Sequence, residues 1–288
     1  MKLIIEPTTK SLNNYHNLID GLILPLASFS VETSTFYTLS EIEHIAKYYP
    51  ELELFVSLNK NIFNKDIPKL KEVLINLSTL PVTIMYYDLA VLELIKDLKL
   101  NINTCFATTH FVTNAESINY YLNEGVNYAL LTNELTLEEI KEIRKKTTAK
   151  LLVNTVYLPN VAFSKRKLLS NFYHAINEKA KNTLEVNEAV SDEDYLLTET
   201  ENGTNFTLNE LCNGTSLIKD LNTIGIDYLI FKEGSIETIF IELLKDTKDY
   251  LADNCENADY VNKYKMLGTS TNFFYKESIF QVKHDEKN

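Results

Sequence analysis

VTIMYYDLAVLELIKDLKLNINTCF, residues 82–106, decides how this chain is read. Val82–Tyr86 is a short β-type run. Val91, Leu94 and Ile95 then recur at helical spacing, and Leu100–Phe106 is β-type again. Working outward, the same beat continues in both directions. Upstream lie β-type runs at Leu3–Glu6, Leu22–Leu26 and Leu52–Asn59, the last followed by a helix that places Ile67, Leu70, Val73, Leu74 and Leu77 on one face. Downstream come a helix after Thr113, a strand at Tyr128–Leu131, and a helix through Leu137, Ile140 and Ile143. Strands at Lys150–Val156 and Tyr228–Phe231 follow, the last with a helix through Ile236, Ile239, Phe240 and Leu243. Eight strands, each with its own helix, imply parallel pairing with helical crossovers. For a chain of this length they predict an α/β fold, a (β/α)8 TIM-type barrel, over an open doubly wound sheet.

Helix starts support the beat. Thr38/Glu41, Thr113/Glu116, Thr136/Glu139 and Thr207/Glu210 each have the spacing of a capping box, in which a Thr oxygen and a Glu carboxylate satisfy each other's backbone donors. The seventh unit is interrupted. Its helix is expected only at Thr207–Thr223, after a long insertion at about residues 160–205. The insertion opens on Ser164-Lys165-Arg166-Lys167 and continues into a helical stretch, Leu168–Ala180. From Glu185 to Glu201 it holds seven acidic residues and no basic one, a pattern expected of a solvated loop. The barrel is assigned residues 1–254. Residues 255–288 form a tail that packs on the barrel or frays from it.

Composition excludes several classes. The 288 residues are 45% hydrophobic, enough for a globular core that removes roughly three quarters of the unfolded surface from water. No apolar run reaches the eighteen or so residues that would span a bilayer. The N-terminus MKLIIEPTTK lacks a signal-peptide core, so a cytoplasmic protein is expected. Three cysteines, Cys105, Cys212 and Cys255, show no metal-type spacing and form no disulfide framework. The net charge is 28 − 40 = −12, so any RNA contact needs a local basic patch or a partner's surface. No metalloprotease, serine-hydrolase, phosphate-loop or dinucleotide fingerprint occurs. His16, His44, His174 and His284 are scattered.

Four segments, taken together and in order, resemble one family: FVTNAESINYYLNEGV (111–126), NELTLEEIKEI (133–143), FSKRKLLSNFY (163–173) and ENGTNFTLNELCNGTSLIKDLNTIGIDYLIFKEG (201–234). This is the collagenase-like peptidase family U-thirty-two. The third segment and the start of the fourth look most like its short-chain branch, linked to 5-hydroxylation of the wobble uridine in tRNA. The resemblance implies oxygen-independent hydroxylation with a prephenate-derived hydroxyl source, and a larger paralogue as partner, through which tRNA is met. The family's catalogue name implies instead a peptidase, and a barrel that binds a small molecule without chemistry is a third reading.

The resemblance also shows what is missing. Val156 stands where the family has His, and Asn160 and Lys167 stand where it has cysteines. The last two cysteine positions fall near Thr183 and Asn187. Iron–sulfur clusters need thiolate ligands, so no cluster and no other cofactor or metal is expected, and the chain reads as a non-catalytic or accessory subunit. What remains of the family's polar residues is Glu134 and Asp88 as candidate acid–base carboxylates, with loop capping as the alternative. Lys165 and Arg166 are candidates for binding phosphate or a small acid such as prephenate, and Ser164, Asn114 and Glu6, the last at the end of the first strand, are further substrate-binding candidates. For the basic cluster the alternative is a solvated turn. Cys105 is a nucleophile only with a base such as His110 beside it; otherwise it packs at a strand end.

Overall fold

The computed structural model describes residues 1–275, apart from 32, 34, 109, 110, 189–192 and 269. His110 therefore lies outside the described residues. Strands β1 (Lys2–Glu6) and β2 (Gly21–Pro25) come first. Then α1 (Leu39–Tyr48), β3 (Glu53–Leu58), α2 (Ile67–Leu77), β4 (Val82–Tyr86), α3 (Leu89–Asp97) and β5 (Asn103–Phe106) alternate. They are followed by α4 (Ala115–Asn123), β6 (Tyr128–Leu130), α5 (Leu137–Lys146) and β7 (Lys150–Tyr157). The insertion holds β8 (Asn160–Ser164), α6 (Leu168–Ala175), β9 (Thr183–Glu188), β10 (Glu193–Thr200) and β11 (Gly203–Leu208). After it come β12 (Cys212–Asn213), α7 (Ile218–Ile224), β13 (Tyr228–Lys232), α8 (Glu237–Leu251) and α9 (Asn257–Tyr264).

β1 to β7 and β13 pair in parallel and close, with β7 bonded to β6 on one side and β13 on the other, and β13 bonded to β1. The expected (β/α)8 barrel is the observed architecture. Every strand sends a side chain inward: Ile4, Ile23, Phe55, Met85, Cys105, Tyr128, Leu152 and Tyr228 form one packed interior cluster. The opposite faces of the strands pack against the helices in a larger cluster. This is the two-shell core expected when each strand alternates between barrel interior and helical layer.

Three local expectations are corrected. No helix follows β1 among the described residues; Leu12, Tyr15 and Ile19 are buried at helical spacing, but Leu12–Leu18 makes only turns, in a segment that carries Pro7 and the poor helix formers Asn13-Asn14. The capping boxes at Thr38/Glu41 and Thr136/Glu139 form, but α4 is capped by Asn114, whose Oδ1 accepts from Ser117 N at 2.8 Å. Thr207 lies in β11 and not at a helix start, so its spacing to Glu210 is coincidental, and Cys212 sits on strand β12, paired antiparallel with β7.

The acidic run is not a loop. It belongs to β9 and β10, part of an antiparallel sheet ordered β8-β11-β10-β9. The acids alternate with apolar residues. Leu184, Val186, Tyr195, Leu197 and Phe206 gather against Leu169 and Tyr173 of α6, leaving much of the charge to solvent. Gly203 starts β11 at φ +139°, and a Cβ there would lie 2.2 Å from the Ser164 carbonyl oxygen, so only glycine lets the β10–β11 hairpin close against β8. Asn202, at the hairpin tip, donates to Ser30 O at 2.9 Å and ties the insertion to the loop after β2. The tail packs through Tyr260, stacked on Tyr250 at 4.2 Å, and through Asn272, which donates to Asn133 O and to the Tyr157 hydroxyl, both at 3.0 Å.

Candidate functional site

The C-terminal ends of the barrel strands meet in two adjoining clefts that share Glu6, Leu158, Asn160 and Lys232. The inner cleft, about 50 Å³, reaches between Ile23, Met85 and Ile230 and is ringed by Ser57, Asn59, Tyr87, Asn133 and Asn154. The outer one, about 170 Å³, lies beneath the insertion sheet, with Leu196, Thr198, Asn205 and Thr207 on one side and Thr8, Val31 and Thr33 on the other. Barrel enzymes build their sites at this end because the βα loops converge there.

Register places the charges. Glu6 and Lys232 are paired residues of β1 and β13, and their side chains form an ion pair at 3.3 Å. Next to Lys232, Glu233 is 3% exposed and holds the β1 loop in place, accepting from Thr8 N at 2.7 Å, from Thr8 Oγ1 at 2.8 Å and from the Tyr15 hydroxyl. Asn154 lies on β7, two residues beyond the inward Leu152. Its Nδ2 donates to Asn133 Oδ1 at 3.0 Å, but its Oδ1 is buried without a partner. A buried carbonyl left unpaired costs about 1–3 kcal/mol. Asn154 as a whole is 8% exposed and lines the inner cleft, so its side-chain amide is a polar group in the wall of that cleft.

The sequence candidates are dispersed. Glu6 lines both clefts. Asp88 caps α3, its oxygens accepting from Ala90 N at 2.9 Å and Ile62 N at 2.8 Å. Asn114 caps α4 on an outer groove between α4 and α5. Glu134 is exposed in the turn after β6. Ser164 ends β8, with Lys165 and Arg166 exposed just beyond it, outside both clefts. Cys105 is sealed inside the barrel, where burial pushes its thiol far above the ordinary range and removes the thiolate that nucleophilic attack needs. Cys212 is likewise buried, its thiol pushed up to about 12 by burial. Among the described residues, no three His, Cys, Asp or Glu side chains converge as metal ligands would.

Sequence reading missed Lys232, Asn154 and Asn59. The available signal was a polar residue within an apolar strand, Asn154 in LLVNTV, and a lysine closing the last strand.

A sequence model of peptidase family U32 matches residues 13–237. The chain belongs to peptidase family U32. This U32 protein is 25% identical over 257 residues to tRNA hydroxylation protein P2 of Bacillus subtilis (strain 168), an alignment covering 79% of this chain and 81% of that protein. Among solved structures it is similar to the U32 peptidase Mk0906, with a TM-score of 0.49 and 14% identity over 81% of this chain and 92% of the other. It is also similar to a 2,3-dimethylmalate lyase, with a TM-score of 0.45 and 12% identity over 92% of this chain and 88% of that one. No helix among the described residues is long and apolar enough to cross a membrane.

If Asn154 is kept for a ligand, stability should improve when it is lost. Asn154→Leu is expected to raise unfolding free energy by about 1 kcal/mol, a Tm rise of about 2–4 °C, since relief of the orphaned carbonyl exceeds the lost bond to Asn133. Calorimetry checks this, and a Tm fall of similar size would make the amide structural.

Proposed function

We propose that this U32 chain is an accessory, ligand-binding subunit in oxygen-independent 5-hydroxylation of the tRNA wobble uridine, working in the cytoplasm with a larger paralogue of its family. The observation that carries the reading is the relative named tRNA hydroxylation protein P2, aligned along most of both chains. The site supports a binding role over a catalytic one. It offers an ion pair and several amides, while the buried thiol of Cys105 is unsuited to attack. This weighs against the peptidase reading.

The family's four-thiolate iron–sulfur cluster does not fit this chain. It has three cysteines, one in the barrel interior, one on β12 and one between α8 and α9, and the family's cysteine positions after β7 are Asn160 and Lys167. A small acid such as prephenate entering the clefts would meet Lys232 as its cation, in exchange for Glu6.

The test is mass spectrometry of tRNA nucleosides from a deletion strain and its parent, grown without oxygen so that oxygen-dependent hydroxylation does not mask the loss. A several-fold fall in 5-hydroxyuridine derivatives is expected. Unchanged levels would overturn the reading.

A further inference from the structure

On a chain of net charge −12, one face is basic and aromatic. It forms where the β3–α2 loop meets the end of β8. Lys165 Nζ sits 3.6 Å from the centroid of the Phe63 ring, with Lys65 Nζ 5.8 Å from the same ring. Lys60 and Lys69 flank Phe29 at 5.9 and 6.0 Å and both bond Ser28, through its carbonyl at 3.2 Å and its hydroxyl at 3.0 Å. Lys60 is largely buried and faces Asp66 at 3.8 Å, so it braces the face. Lys65, Lys69, Lys165, Arg166 and Lys167 are exposed, and Phe63 is 42% exposed among them. Among the described residues, no carboxylate lies within 4 Å of the Lys65, Lys69 or Lys165 ammonium. The other lysine-rich surface, α5, differs: Lys141 and Lys145 are matched by Glu138 at 3.6 Å and Glu142 at 2.5 Å on the same helix.

We infer that this ridge binds single-stranded RNA, with the lysines and Arg166 on phosphates and a base taking the place of the Lys165 ammonium on the Phe63 ring. The inference deepens the tRNA reading above and rests on it. Cations tracking a backbone beside an exposed ring are what single strands require, since every base has a face to stack and duplex RNA keeps its bases inside. The ridge also adjoins the clefts: Asn59 lines the inner cleft, accepts from Val31 N at 2.8 Å, and directly precedes Lys60. A loop held on the ridge would lie beside the barrel mouth.

Fluorescence anisotropy of the purified full chain with a labelled ten-nucleotide oligouridylate tests this. Binding is expected at 50 mM salt and should weaken steeply towards 200 mM. Lys65→Gln with Lys165→Gln should weaken binding about tenfold and flatten the plot of log affinity against log salt by about 1.4, near 0.7 per neutralised contact. Phe63→Ala should weaken it about fivefold at unchanged slope. Lys141→Gln with Lys145→Gln should change it less than twofold. The ridge is rejected if the parent chain does not bind, if the α5 pair matters as much, or if duplex RNA binds better and Phe63→Ala has no effect. Selective capture of an acidic protein without RNA binding also rejects it. Loss of tRNA hydroxylation in the deletion strain, with no RNA binding here, would leave the pathway reading standing and remove only this site. RNA binding with unchanged nucleosides would do the reverse.

Discussion

Phe55→Ala is expected to lower the unfolding free energy by about 3–5 kcal/mol and the Tm by about 10 °C. Phe55 is fully buried on β3 at the centre of the barrel interior. Its ring meets Tyr128 edge-on at 5.5 Å and Tyr228 at 5.6 Å, and those two rings are 5.8 Å apart. The three aromatics come from β3, β6 and β13, so the truncation opens a void walled by strands that hydrogen bonding prevents from collapsing inward. Tyr228 also donates to Glu53 Oε2 at 2.7 Å, which holds its ring in place and limits repacking. Calorimetry or urea unfolding reads the effect. A loss under 1 kcal/mol would mean that the interior is looser than described.

Glu199→Ala should be nearly as costly, about 3 kcal/mol, and local to the insertion. Glu199 is 7% exposed on β10. The N-cap of helix α6, Lys167, makes no side-chain capping bond, and Glu199 supplies one across the fold. Its carboxylate accepts from Leu169 N at 2.8 Å, from Ser170 N and Thr204 Oγ1 at 3.2 Å, and from the Ser170 hydroxyl. A negative charge is favoured at a helix N-terminus. Burial alone would raise this carboxyl, but the bonds from Ser170, Leu169 and Thr204 outweigh it and hold the group below the ordinary carboxylate range. A lowered folded pKa fixes the sign. The stabilisation is complete above the unfolded carboxylate pKa and is lost as pH falls through the lower folded value. Hydrogen-exchange protection over residues 168–188 and 193–208, taken relative to the unstructured rate at the same pH, should therefore fall on acidification in the parent chain, while Glu199→Ala should show low protection at every pH. Acid-independent protection in the parent would contradict the assignment.

The barrel was legible because its evidence is local. A strand such as Val82–Tyr86 or a helix face such as Leu70, Leu74 and Leu77 declares its burial by residue type and spacing within a dozen residues. The boxes at Thr38 and Thr136 worked for the same reason, since donor and acceptor are three residues apart. In the insertion, charge density hides a second pattern. The alternation of Leu184 with Val186, and of Tyr195 with Leu197, marks strands, but only packing against α6 gives those apolar faces something to cover.

By itself, then, the sequence determined eight parallel strands in a βα alternation broken only after the first, the absence of the family's thiolates, and the net acidity that makes a basic patch informative. Tertiary structure alone decided the site. Glu6 meets Lys232 because barrel closure puts the first strand beside the last. Asn154 faces the cleft because strand register turns it inward after Leu152. Lys65 and Lys165 share one ring because the insertion folds back over the loop after β3. Each is a contact between residues far apart in the chain, set by register and closure, and neither composition nor local periodicity encodes which distant partner a side chain will meet.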